Sequence, residues 1–317
     1  MARLSIVIPV VNGLKGFEDT LVSVLENRPA DCQIVVVFNQ PYDDPYDIED
    51  EVDFVRVAPR AGLAESLAQG LLAAEAPVIH LLTAGVQVGP GWAEHAMERF
   101  ADPDVGAVAP VVLDGLLPER VVCAGLAYSA GGSTVHIGAG RPINQLDDRR
   151  MGLCGPDPLA AFYRKTALEA ILPMTKQAGD TVVGIEIALL LRQAGLRCIV
   201  EPECRTYADP TLAATPNSLR KGFDAERLFW RWASYYGWGR SLISHLGVLA
   251  LECLSCVLRP ATVCKLAGRA WGALGLPTLH RQQPVPTPAP TVTPRVQPIG
   301  PPHFLSAEYR KTVESRT

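Results

Sequence analysis

The sequence predicts an α/β chain built on a mostly parallel sheet, and three observations predict it. Strand and helix signals alternate through the first 110 residues. The run at 33–38, QIVVVF, is almost continuously apolar, the pattern of a parallel strand covered on both faces. The chain has 317 residues, 48% of them hydrophobic, enough for one large domain with a substantial core. Strand, helix, strand at this spacing argues for a parallel sheet with right-handed crossovers.

Taken in order, residues 5–9 are a short β-branched run. Residues 16–26 have helical spacing, with Phe17, Leu21, Val24 and Leu25 on one face. Strand 33–38 follows, then strand 52–57 and helix 62–74 with its Leu and Ala stripe. Strand 78–82, helix 92–100 and strand 106–113 continue the alternation. Residues 126–150 are Gly-rich and polar, which predicts loop with short strands. A strand at 159–163, a helix at 165–172 and a Leu-rich helix at 186–194 come next. Gly195 closes that helix as a C-cap, and 197–200 is a further strand.

The C-terminal third changes character. Residues 224–237 are aromatic and basic, with Phe229, Trp230, Trp232, Tyr235 and Tyr236 among Arg227 and Arg231. In 241–258 Glu252 is the only fully charged residue. Wound as a helix, Ser241, Ser244, His245, Glu252 and Ser255 fall on one narrow stripe and the rest is apolar. An interfacial helix on a membrane surface, a helix docked on the domain and a short span all fit that pattern. Glu252 and the serines make spanning costly. Residues 284–302 hold eight prolines and predict an extended linker. The expected division is 1–223, 224–277 and 278–317.

A net charge of -4 gives no reason to expect nucleic acid as a partner. The eight cysteines lie mostly in apolar surroundings, and Cys253 and Cys256 form a CxxC with no second pair at zinc spacing. Reduced, packed cysteines in a cytoplasmic chain fit best. The apolar start, broken by Pro9 and Asn12, reads as a first strand rather than a leader.

Five segments carry a resemblance. SIVIPVVNG (5–13) resembles the opening motif of family-2 glycosyltransferases, and QIVVVFNQ (33–40) stands where their second strand belongs. RAGLAESLAQGLLAAEAPVIHLLTAGVQVGPGW (60–92) is similar to their helix, strand and metal-site segment. LAAFYRKTAL (159–168) and EIALLLRQAGLRCIVEPECRTY (186–207) resemble the acceptor half. The resemblance covers roughly residues 3–232 and implies a GT-A nucleotide-diphospho-sugar transferase fold with a C-terminal helical extension. It implies transfer of a sugar from a nucleotide-sugar donor to a glycan or lipid-linked acceptor, in envelope or surface polysaccharide assembly. It places Pro9, Val11, Asn12, Asn39, Gly62, Thr83 and Gly85 on the nucleotide-sugar side. Gly155 and Arg192 fall on the acceptor side.

The family's acidic residues are missing from those segments. Its Asp-x-Asp, which holds a divalent cation through hard oxygen ligands, reads Thr83-Ala84-Gly85. The Asp closing the second strand is Phe38. The acidic pair that includes the general base is Val183 and Gly184, and the later His is Ala208. No metal cofactor is therefore expected. Glu186 and Asp180 are the candidates for a relocated base, with surface or capping roles as the alternative for both. Asp209, Asp43 and Asp44 are further nearby acids. Two functions stay open: a metal-independent transferase, peripheral to the membrane's inner face, or a catalytically inactive relative acting as a binding or scaffold module. Asn12 and Asn39 read equally well as turn residues, Gly62 and Gly70 as helix entry and packing contact, and Gly155 with Pro156 as a turn. His80 reads as a satisfied core histidine, and 147–150 as a solvated loop.

Overall fold

The computed structural model describes residues 2–11, 13–146, 152–175, 178–214 and 216–274. Asn12, the charged loop at 147–150 and the Pro-rich segment at 278–317 lie outside the described residues.

Period-two burial in the first strands sets the layers. In β1 (Leu4–Val10), Ile6, Ile8 and Val10 pack on one side with Phe17, Leu21 and Val24 of α1 (Phe17–Asn27). In β2 (Cys32–Phe38), Ile34, Val36 and Phe38 join them. Val7, Val35 and Val37 face the opposite side, after β3 (Asp53–Arg56), with Leu67 and Leu71 of α2 (Leu63–Ala73). Both faces of the sheet are thus covered, which is why these strands read as unbroken apolar runs.

The chain continues through β4 (Val78–Leu82), β5 (Val86–Val88), α3 (Glu94–Arg99), β6 (Val105–Asp114) and β7 (Val121–Cys123). Next come β8 (Leu126–Tyr128), β9 (Thr134–His136), β10 (Leu153–Gly155), β11 (Ala160–Arg164) and α4 (Lys165–Ile171). Then follow α5 (Val183–Gln193), β12 (Arg197–Ala208), α6 (Pro210–Ala213), α7 (Leu219–Trp232), α8 (Trp238–Ser255) and α9 (Ala261–Leu274). Among the described residues the main sheet runs β3-β2-β1-β4-β11-β6-β12-β5, with β7 beside β6. Neighbours are parallel from β3 to β4 and between β6 and β12; β11 is antiparallel to both of its neighbours. A second sheet, β10-β8-β9, forms from the Gly-rich middle region.

The structure differs from the expected elements at three places. The strand expected at 197–200 runs on to Ala208, through a register shift between Glu201 and Arg205. Glu201, Pro202 and Glu203 break the apolar pattern, and a bulge carries the pairing past them. The helix expected from 186 begins at Val183. The strand β5 is too short for periodicity to reveal and exists through pairing with β12.

The C-terminal helices pack tightly. Gly222 of α7 lies against the Lys265 carbonyl of α9, and Gly268 of α9 against the Leu219 carbonyl, where no side chain would fit. The expected division at 223/224 falls inside α7. The polar stripe of α8 faces inward. Ser241 donates to the Ala233 carbonyl, His245 stacks on Phe229 at 3.7 Å, and Glu252 pairs with Arg269 and Lys265. The apolar side of α8 faces outward, exposing Ile243, Leu246, Leu251 and Leu254. Among the described residues no helix is long and apolar enough to cross a membrane.

Candidate donor and acceptor site

Crossover connections bring the ends of β1, β2 and β4 and the start of α2 to one edge of the sheet, where ligands of open α/β folds bind. Asn39 ties this edge together: its Nδ2 donates to the carbonyls of Val11 and Ala61, both at 3.0 Å. Pro9 lies within buried β1. Gly62 is the N-cap of α2, and a side chain there would have to displace the carboxylate of Asp180, which crowds its Cα. Asp180 is exposed, and its Oδ1 accepts from the Leu63 N–H at 2.9 Å. A carboxylate 117 residues away thus caps α2, satisfying one of its orphan donors and its dipole.

Thr83 and Gly85 lie at the same edge. The Thr83 hydroxyl donates to the Pro158 carbonyl at 2.8 Å, and its N–H to the Leu159 carbonyl at 2.9 Å. Gly85 has φ +98°, and its N–H reaches both the Gly16 carbonyl and the Thr20 hydroxyl. Leu212 of α6 rests against it. Ala84 and Gly85 offer no side-chain oxygen, and Thr83 is already engaged. These residues do not fit a divalent cation held by carboxylates. Among the described residues no group of three or more His, Cys, Asp or Glu is placed to hold a metal ion.

At the end of β2, Phe38 stacks on Tyr42 with centroids 4.6 Å apart, and Phe17 meets both edge-on. This cluster takes the place where the resemblance puts an Asp. Gln40 Nε2 and Tyr42 Oη beside it are buried, with no hydrogen-bond partner among the described residues.

The other expected residues are dispersed. Glu186 is 1% exposed and faces α7, with Arg231 at 3.0 Å and the Trp232 indole N–H at 3.2 Å. Burial pushes its carboxyl above the ordinary value, against the opposing pull of Arg231 and Trp232. That carboxylate closes an inter-helix contact and presents no open face to an acceptor hydroxyl. Gly155 lets β10 lie directly on Ala188 of α5. Arg192 sits about 14 Å along α5 from Val183, where it contacts Cys154. It lines a separate cleft of about 530 Å³ with Cys198, Arg197 and Tyr235. Gly184 packs under Pro158 and Leu126, and Ala208 is buried with its carbonyl bonded to Gly115 N–H. His80 is a core residue: its Nδ1 lies 3.3 Å from the Ala161 carbonyl, the ring stacks on Phe162, and burial holds its pKa at about 3.

One pair escaped the sequence reading. His136 Nε2 lies 3.3 Å from Asp157 Oδ2, and Asp157 is 7% exposed. The only available signal was an Asp between two prolines, 156 and 158, which turn chemistry explains as well.

Comparison with known proteins follows the same lines. Residues 5–119 match the family described as Glycosyl transferase family 2. No curated protein matches the chain. Among solved structures, GalNAc-T7 with UDP, GalNAc and Mn2+ aligns at TM-score 0.51 and 15% identity, over 66% of this chain and 44% of that one. The mannosyltransferase PcManGT from Pyrobaculum calidifontis, in complex with GDP-Man and Mn2+, aligns at 0.48 and 14%, over 89% and 88%. S. aureus TarS 1–349 aligns at 0.45 and 14%, over 72% and 64%. The chain therefore spans less than half the length of the first of these. The fold is the GT-A glycosyltransferase fold, a mostly parallel sheet flanked by helices.

Proposed function

We propose that this chain, with its GT-A fold and its family-2 segment at 5–119, transfers a sugar from a nucleotide-diphosphate donor to a glycan or lipid-linked acceptor. The reaction serves envelope or surface polysaccharide assembly and uses no carboxylate-held metal. The observation that carries the reading is the convergence of Val11, Asn39, Gly62 and Thr83–Gly85 at one sheet edge, inside the family-matched segment. Lys15 and Arg60, exposed on loops of that edge, are the cations available to a diphosphate.

A membrane surface suits the acceptor side. The outward face of α8 and α9 is apolar and carries Trp238 and Trp271. Its exposed charges, Arg240 and Arg259, are both basic, and Glu252, the only acid in 238–274, is paired inward. Such a face fits the interfacial layer of anionic lipid. Full-length chain should sediment with anionic vesicles, be released by alkaline carbonate, and lose binding on Ile243→Glu with Leu254→Glu. Absence of sedimentation would remove the membrane from the reading.

A second reading, a non-catalytic binding module, is favoured by Leu212 seated on Gly85 and by the Phe38–Tyr42 stack. Thermal-shift and calorimetric titration with a panel of nucleotide sugars separates the two, together with release of nucleoside diphosphate. A ligand specific for the folded state stabilises it by about 2.7 kcal/mol at a hundredfold excess over its Kd. Stabilisation equal with and without manganese, plus turnover, supports the transferase. No stabilisation by any donor refutes it, and a manganese requirement refutes the metal-free form.

A further inference from the structure

We infer that His136 and Asp157 are the proton-accepting pair of the transfer proposed above, an inference that rests on that reading. Among the described residues His meets a carboxylate at three places. His95 and Glu98 are 3.9 Å apart on the open surface. His245 and Glu226 are enclosed with Arg269. Only His136 combines a partly open imidazole, its side chain 29% exposed, with a buried carboxylate, the Asp157 side chain at 9%.

The carboxylate is fixed before the imidazole meets it. Asp157 Oδ1 accepts from the Leu159 N–H at 2.8 Å, the Cys123 thiol approaches the same group, and prolines flank it on both sides. Asp157 Oδ2 lies 3.3 Å from His136 Nε2, so the carboxylate is set against that nitrogen. Nδ1, on the other side of the ring, is the nitrogen left to accept a proton.

The pair is also in the right place. The residue after Asp157 is Pro158, whose carbonyl takes the Thr83 hydroxyl and whose ring covers Gly184. Thr83 stands at the end of β4, and Gly184 stands in the first turn of α5, where the resemblance puts the missing acids. His136 is opposite Leu126 in the β8–β9 register, so both share a face, and Leu126 also reaches Gly184. The loop from 155 to 159 thus joins the donor edge to the imidazole.

The chemistry balances without a further reactant. His136 Nδ1 takes the proton of the acceptor hydroxyl. The acceptor oxygen bonds to the anomeric carbon while the bond to the diphosphate breaks, and its electron pair leaves with the nucleoside diphosphate. Asp157 stabilises the imidazolium and acts as the positioning residue. Among the described residues, the titratable groups around the pair are each other, the Cys123 thiol and the Tyr163 phenol.

The test uses full-length chain, a nucleotide-sugar panel, and His136→Ala and Asp157→Asn. Wild type should release nucleoside diphosphate. His136→Ala should lose about a hundredfold or more in kcat, with donor KM nearly unchanged, and should recover with added imidazole. Asp157→Asn, which keeps the shape and removes the charge, should lower kcat with donor KM nearly unchanged. Turnover that survives His136→Ala within threefold overturns the pair while leaving the transferase intact. Loss that imidazole does not restore, with wild-type kcat in Asp157→Asn, assigns both residues to structure and also overturns it. No turnover by wild type on any donor overturns the transferase reading itself, and the pair with it.

Discussion

Replacing Arg269 with Met tests how the C-terminal helices are held. Arg269 is 3% exposed and grips Glu252 with two hydrogen bonds, at 2.8 and 3.0 Å, and Glu226 with a third at 3.1 Å. Met fills similar volume but leaves both carboxylates short of a partner. Removing one side of a buried pair costs about 3–5 kcal/mol. Glu252 keeps Lys265 at 2.7 Å, and Glu226 keeps His245 and the Trp230 indole N–H. The remaining partners place the loss at the lower end, about 3 kcal/mol. The helices cannot shift to compensate, because Gly222 and Gly268 already bring α7 and α9 to backbone contact. With a denaturant slope of about 3 kcal/mol/M, the urea midpoint should fall by roughly 1 M. Trp230, Trp232, Trp238 and Trp271 all lie in α7 to α9, so tryptophan emission reports this unit directly. Adding Glu252→Leu should recover part of the loss. An unchanged midpoint in the single variant would refute the account of the network as the clamp.

Three further outcomes follow from the same contacts. Burial pushes Glu226 and Glu252 up, but hydrogen bonds from His245, Trp230 and Arg269 to the first and from Arg269 and Lys265 to the second outweigh it and hold both low. Their stabilisation is present above the ordinary carboxylate value of about 4.3 and is lost as pH falls through the folded values, so acid titration should redden tryptophan emission first. Glu186 runs the other way: its raised pKa means the folded state binds protons more tightly, so its contribution falls as pH rises above about 4.3. Glu186→Gln should flatten that slope, read by urea titrations at several pH values. Asp180→Ala should cost about 0.5–2 kcal/mol by uncapping α2, whereas Asp180→Asn, which keeps an acceptor oxygen, should stay near wild type. Loss of turnover in Asp180→Asn at unchanged stability would instead make Asp180 the base.

Apart from β5, the strand and helix order through residue 113 was legible in the sequence because each element is amphipathic or buried on its own period. The GT-A arrangement was legible because five segments kept their spacing, and the missing acids were legible as letters. Elements made by partners were not: β5, three residues long, exists by pairing with β12, and β12 crosses Glu201 by leaning on β6. The polar stripe of α8 was visible, but periodicity cannot say which side faces the protein. Arg269, from another helix, turned the stripe inward and left the apolar side outward. Glu186 looked like a candidate base until Arg231 and Trp232, 45 and 46 residues on, closed over it. His136 and Asp157 were unconnected letters, because a contact between the end of β9 and the loop before β11 leaves no periodic trace. Local pattern therefore determined the layers and the fold class, while long-range contacts decided which polar groups are spent on structure and which remain open for chemistry.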